Sequence, residues 1–118
     1  MLPDKNRLRL ATDFAQLRKN SQKFVHPLAI LICAPNQRSE SRFAFPASRK
    51  TGNAVRRNRA RRLLREAVRL QLPSLTQNIG CDCLLIVRRK TADASFSEVC
   101  DAVNTLFIRA GLYGDTSP

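Results

Sequence analysis

The run GNAVRRNRARRLLREAVRLQLP, residues 52–73, limits the fold more than any other stretch of the chain. Ala60, Leu63, Leu64, Ala67, Val68 and Leu72 recur at helical spacing and define one apolar stripe. Projected at about 100° per residue, Asn58, Arg62, Arg65 and Arg69 fall on the far side, flanked by Arg59 and Arg61. Asn53 is placed to cap this helix and Pro73 to stop it. Such a helix can dock its stripe on a sheet while holding a rigid row of guanidinium groups outward. Nine basic residues stand between Arg49 and Arg69, against one acid, Glu66. Arg57–Arg61, Arg61–Arg65 and Arg65–Arg69 are like-charged pairs at i,i+4, each costing an isolated helix roughly 0.2–0.5 kcal/mol. An anionic partner is expected to offset that cost.

The whole chain carries the same bias. Its 118 residues include 21 Lys+Arg and 9 Asp+Glu, a formal charge of +12, and 16 of the 21 cations are Arg. Arginine presents a planar fork of donors that grips phosphate bidentately and stacks on bases, so nucleic acid is the expected partner. With 43% apolar residues the chain is not a disordered basic tail. Its length suits one domain, residues 1–118, with a frayed tail from about residue 111. No apolar run approaches the roughly 18 residues of a membrane span, and MLPDKNRLRL lacks the apolar core of a signal peptide. Cytoplasmic residence, with no membrane partner, is the expectation.

Along the chain, the first ten residues read as extended and basic, and Thr12 caps a short helix with Phe14 and Leu17 on one face. Phe24 to Ala34 reads as one buried strand, and Arg42 to Ser48 as its antiparallel hairpin partner across a turn at Pro35–Ser41. Pro46 conflicts locally with that second strand, because it cannot donate to a ladder. Cys83 to Val87 reads as a short buried strand ending in Arg88, Arg89 and Lys90. Ser95 and Glu98 form a capping box that opens a helix. Phe96, Val99, Cys100, Val103, Leu106, Phe107 and Ala110 share its apolar face, and Gly111 caps its end.

Protein-based catalysis finds little to work with. Among the nine carboxylates only Glu98 and Asp101 pair at helical spacing, near a helix start where the dipole favours acids. HExxH, GxSxG and GxxxxGK[ST] are all missing. Cys33, Cys81, Cys83 and Cys100 lack zinc-ligand spacing, and His26 sits beside Pro27 with no ligand-like neighbour. Buried free thiols in a reducing compartment are the expected state.

The run SRKTGNAVRRNRARRLLREAVR resembles the signature of the protein component of bacterial ribonuclease P. There a Lys/Arg pair, a Gly-Asn turn and an Arg-Asn-Arg core precede further basic residues and an amphipathic helix. RLRLATDF and LLIVRRKTADASF are similar to the family's lead-in and to its late strand, basic turn and final helix start, so the resemblance covers about residues 7–112. It implies an α+β fold: a compact mixed β-sheet packed with helices and a left-handed βαβ crossover, an exception to the usual hand. It also implies a subunit that binds the catalytic RNA and assists 5′-leader removal from precursor tRNA. No cofactor would be bound by the protein alone, with Mg²⁺ acting in the holoenzyme. Carried over by position, Arg49, Lys50, Asn53, Arg57, Asn58, Arg59, Arg61, Arg62, Arg65 and Arg88 would contact RNA. Phe14 on its short helix suits the core as well as a site; by the resemblance Phe14 and Arg18, with the inner strand face, would line the leader cleft, and family members often place an aromatic where Arg18 stands.

A small basic ribosomal RNA-binding protein would share the size, charge and basic helix. The late basic turn and the Asp-Phe lead-in favour the first reading. A DNA-binding repressor would show a helix-turn-helix pair and a dimerisation element, and neither is found.

Overall fold

The computed structural model describes residues 2, 6–7, 21–36, 40–47, 49–75 and 80–113. The strands are β1 (Gln22–His26), β2 (Ala29–Pro35), β3 (Arg42–Ala44) and β4 (Cys81–Val87); the helices are α1 (Ala54–Gln71) and α2 (Phe96–Ala110). The sheet runs β1-β2-β4-β3, with β1–β2 and β2–β4 antiparallel and β3–β4 parallel. α1 joins the parallel neighbours β3 and β4, so the mixed sheet contains the βαβ crossover that the resemblance implies. The short N-terminal helix expected from Thr12 lies outside the described residues.

Two strand expectations are corrected. Phe24–Ala34 is not one strand but a hairpin, broken at Pro27-Leu28, with register from His26↔Ala29 to Gln22↔Cys33. Pro27 has no N–H for a ladder, and the tight turn is held by Leu28 N–H donating to His26 Nδ1 at 3.1 Å. The Arg42 segment is not the hairpin partner of β2 either. β4 inserts between them, matching β2 over seven residues from Ala29↔Val87 to Pro35↔Cys81. β3 is only three residues long. Pro46 lies beyond its end and serves as an acceptor, taking the Val87 N–H at 2.9 Å, so its missing donor is not needed.

Helical patterning matches the structure more closely. Asn53 caps α1 by accepting Arg56 N–H at 2.9 Å, and the helix gives way to a 3₁₀ turn at Leu72-Pro73-Ser74. Gly52 precedes the cap at φ 133°, in the region that favours glycine, and a Cβ there would meet the Arg56 side chain at 3.0 Å. In α2, Ser95 and Glu98 exchange both capping-box bonds, at 3.0 and 3.1 Å. Gly111 closes it in the left-handed conformation.

Both helices contribute to one core. Ala60, Leu64, Ala67 and Val68 of α1 and Val99, Ala102, Val103, Leu106 and Phe107 of α2 are buried. Leu31, Cys33, Phe43, Cys83 and Leu85 supply the sheet side. Phe43 and Phe107 meet with ring centroids 5.8 Å apart. Phe96, expected on the apolar face, is exposed, and Ala102 lies inside instead. Part of the stretch expected to fray is packed: Leu112 is buried and Tyr113 meets Phe107 edge-on at 6.0 Å. The four thiols are free. Cys33 faces Cys83 across β2–β4, and burial pushes the Cys83 thiol far up; desolvation raises Cys81 to about 11.

One buried ion pair pins the short strand. Arg42 grips Asp82 through Nε at 2.8 Å and Nη2 at 2.7 Å, while Asn36 Nδ2 donates to the same carboxylate at 2.8 Å. The Arg42 and Asp82 side chains are only 12% and 10% exposed. Asp82→Ala should therefore cost about 3–5 kcal/mol in denaturant unfolding, the scale for stranding one partner of a buried pair. A loss below about 1 kcal/mol would show that β3 is held by Phe43 packing alone.

Candidate nucleic-acid interface

Burying the α1 stripe decides where its arginines go. On one flank, Arg61 Nε donates to the Phe45 carbonyl at 3.1 Å, and the Arg65 guanidinium lies 5.8 Å from the Phe45 ring centroid. On the other flank, Arg59 Nε donates to the Ala92 carbonyl at 2.9 Å. Between the flanks, Asn58 and Arg62 are exposed. Arg57 is half-buried, and its Nε is shut away with no hydrogen-bond partner.

Hydrogen bonds to charged groups contribute about 1.5–3 kcal/mol each, more than a like-charged pair on a helix loses. The fold thus offsets much of the repulsion by itself. The anchors to Phe45 and Ala92 occupy Nε and leave the guanidinium charge uncancelled.

Arg56 behaves differently. It forms a two-pronged pair with Asp93, at 3.0 and 2.9 Å, and those bonds hold the Asp93 carboxyl below the usual range. It also reaches the Arg89 carbonyl at 3.4 Å, linking α1 to the basic 3₁₀ turn Arg89–Asp93.

That turn builds a second basic feature. Arg88, Arg89 and Lys90, with Val25 and Pro27, line a hollow of about 440 Å³. Arg88 is half-buried and bonds the His26 carbonyl at 3.1 Å, whereas Arg89 and Lys90 are exposed. Thr91 ties the region together, its hydroxyl donating to the Leu28 carbonyl at 2.6 Å. Arg109 approaches from the end of α2 and donates to the Val25 carbonyl at 3.2 Å.

The sequence-predicted residues therefore occupy different settings. Asn58, Arg59 and Arg62 are exposed on α1, and Arg57, Arg61 and Arg65 are half-buried beside them. Asn53 is exposed but its side-chain oxygen is committed to the helix cap. Lys50 is exposed on the 3₁₀ turn Arg49–Thr51, which contacts the Arg89–Asp93 turn; the side chain of Arg49 is not among those described. Phe14 and Arg18 lie outside the described residues. The sheet face turned away from the core carries Ile30, Ile32, Leu84 and Ile86, all half-buried. Arg56, Arg89, Lys90 and Arg109 were not singled out individually as site residues. The Arg88–Lys90 run was the available signal for two of them; for Arg109 nothing local distinguishes it from a helix-end cation.

Chemically, this surface can bind anions. Among the described residues there is no group of three or more His, Cys, Asp or Glu that could hold a metal ion.

Comparison with known proteins is consistent across sequence and structure. The family model for Ribonuclease P matches residues 2–111. The chain is 42% identical over 107 residues to a ribonuclease P protein component of Chloroflexus aurantiacus, covering 90% of this chain and 78% of that one. A ribonuclease P protein component of Clostridium kluyveri is 30% identical over 110 residues, covering 93% of this chain and 98% of the other. The solved RNase P protein from Thermotoga maritima superposes with a TM-score of 0.76 at 27% identity, over 87% of this chain and 96% of that one. The Staphylococcus aureus RNase P protein superposes at 0.80 with 20% identity, over 92% and 98% of the two chains, a likeness of fold.

His26 reports on burial and on the charges of Arg109 and Arg88 around it. Desolvation, then the charges of Arg109 and Arg88, hold its imidazole below the ordinary 6.5. The unfolded chain therefore takes up this proton more readily than the folded one. Its contribution favours folding above about pH 6.5 and is lost as pH falls below it. An NMR titration should find the His26 midpoint below 6.5 and Arg109→Ala should move it up; an unshifted midpoint in both proteins would remove the field argument.

Proposed function

The chain belongs to the ribonuclease P protein family, and from that premise we propose that it binds the catalytic RNA of ribonuclease P and assists removal of the 5′ leader from precursor tRNA. The observation that carries this reading is the anchored arginine row: Arg59 and Arg61 are fixed through Nε to the Ala92 and Phe45 carbonyls, with exposed Arg62 between them. Guanidinium groups held this way meet phosphates without first losing side-chain freedom, which lowers the entropic cost of binding.

Hydrolysis of the phosphodiester is assigned to the RNA, and this chain's part is to bind and to screen. Mg²⁺ would be held by RNA phosphates, since the described residues offer no carboxylate cluster to receive it. A surface of +12 takes over part of the charge neutralisation that divalent ions would otherwise supply. Lys50, Arg89 and Lys90 extend the phosphate-binding surface from α1 to the hollow beside Val25 and Pro27. Precursor tRNA is the substrate, its single-stranded leader being contacted by Phe14, Arg18 and the inner strand face. No helix among the described residues is long and apolar enough to cross a membrane; the cytoplasm is the assigned compartment.

The test is cleavage of precursor tRNA by the cognate catalytic RNA, with and without this protein, across a Mg²⁺ series. Protein should shift half-maximal cleavage to lower Mg²⁺, and protein without RNA should cleave nothing. Mg²⁺-dependent cleavage by RNA-free protein would overturn the assignment of chemistry to the RNA. Replacing Arg59 and Arg62 with Ala should leave circular dichroism native and weaken RNA binding. For every phosphate no longer engaged, the log K against log salt plot should flatten by about one unit. An unchanged affinity and slope would show that the row faces no RNA.

A further inference from the structure

Beside the arginine row lies a surface of different chemistry. The first turn of α2 meets the C-terminal half of α1 at a hollow of about 370 Å³, lined by Arg62, Leu63, Glu66, Arg69, Leu70 and Phe96. Phe96 is 40% exposed and Leu70 48%. Single exposed apolar side chains are ordinary on a protein surface, but these two line one hollow and carry guanidinium groups on its rim. Phe96 is also held in place: it is the first residue of α2, directly after Ser95, and the reciprocal Ser95–Glu98 bonds keep that turn from fraying.

The charges in the hollow are unequal. Glu66 is its carboxylate, and Arg69 pairs with it at 2.8 Å. Among the described residues Arg62 has no ion-pair or hydrogen-bond partner, so the rim keeps a positive excess. An aromatic face on an apolar floor, with a free cation at one edge, matches an unstacked base and its phosphate. The volume sits at the small end of ligand pockets, roughly 300–1,000 Å³. A duplex keeps its bases paired and stacked inside and cannot fill the hollow. A second copy of this chain would bring +12 against +12.

We propose that this hollow is a subsite for one unpaired nucleotide of the bound RNA, with its base on Phe96 and Leu70 and its phosphate on Arg62. The subsite rests on the reading of the α1 row as an RNA-binding surface, because Arg62 belongs to both. Its distinguishing feature is the demand for a single strand: the row engages phosphates of any strand, whereas Phe96 engages a base only once that base has left its stack.

The experiment uses the full chain and two probes, a fluorescein-labelled single-stranded adenosine hexamer and a blunt RNA duplex of twelve pairs. Phe96→Ala should weaken hexamer binding by about 5- to 150-fold, the effect of losing one stacked base. It should leave duplex affinity and the salt slope for both probes unchanged. Phe96→Leu, which keeps the packing and removes the aromatic face, should lose hexamer affinity likewise, and Phe96→Tyr should retain it. Arg59→Ala, outside the hollow, should weaken both probes and so reports on the row alone. Unchanged hexamer affinity in Phe96→Ala, while Arg59→Ala weakens both probes, overturns the subsite and leaves the row standing. Equal losses on hexamer and duplex also overturn it. No effect from either variant overturns both readings. If Phe96→Ala instead abolishes self-association in sedimentation with RNA binding intact, the hollow is a contact between copies and the proposal fails.

Discussion

Repulsion among the guanidinium groups of α1 is what the surrounding structure has to contain: acids take Arg56 and Arg69 near its two ends, and backbone carbonyls hold Arg59 and Arg61 between them. Arg61 is held by the Phe45 carbonyl just after β3, and Arg59 by the Ala92 carbonyl in the turn before α2. Those acceptors come from opposite sides of the helix, so α1 is gripped by both flanks while its crest stays open. The grip depends on β3 and the Arg89–Asp93 turn being in place. β3 depends in turn on the buried Arg42–Asp82 pair, and the turn on Thr91 bonding the Leu28 carbonyl. The electrostatics of the surface are thus decided partly by residues far from it in sequence.

Packing beneath the row follows the same need. Ala60 and Ala67 are fully buried, and small side chains there let α1 lie close to the core while Leu64 and Val68 fill the remaining space. The rigidity of the underside is what turns a flexible set of long cations into a fixed array. Arg65 shows the coupling in one residue: its guanidinium lies over the Phe45 ring, whose own carbonyl holds Arg61.

Much of this was legible in the sequence, and the divide follows the range of the interactions. Both described helices, their caps at Asn53 and Ser95 and the Gly111 terminus were readable because each signal is local, spanning three or four residues. Of the strands, β4 and the extended Arg42 segment were readable, but the break at Pro27-Leu28 and the pairing order were not. A short connection between residues 35 and 42 suggests a hairpin, and nothing near it reveals that β4, some forty residues on, takes the place beside β2. Pro27 was the missed local clue: its lack of an N–H is compatible with a turn and poor for a central strand. For the site, the residue types on α1 were readable from periodicity, but not which arginines are bonded to the fold. Phe96 was misplaced because a helical wheel says which side a residue faces and not whether the core extends beneath the first turn.

The distinction between carbonyl and carboxylate anchors explains why this surface is built from arginine. Arg42 and Arg56 are each held in two-pronged pairs by a carboxylate, buried Asp82 and exposed Asp93, and their charge is paired within the chain. Arg59 and Arg61 are held by neutral oxygens through Nε, so their position is fixed while the full charge remains; Arg61 Nη1 also reaches Asn58 Oδ1 at 3.4 Å, again a neutral acceptor. A lysine has one nitrogen for both tasks. Bound to a carbonyl, its ammonium would be drawn back against the fold; released to reach a phosphate, it would lose its anchor. Arginine lets the groups at 59 and 61 be both fixed and available, and at those positions the choice of residue reads as a requirement of geometry as much as of charge.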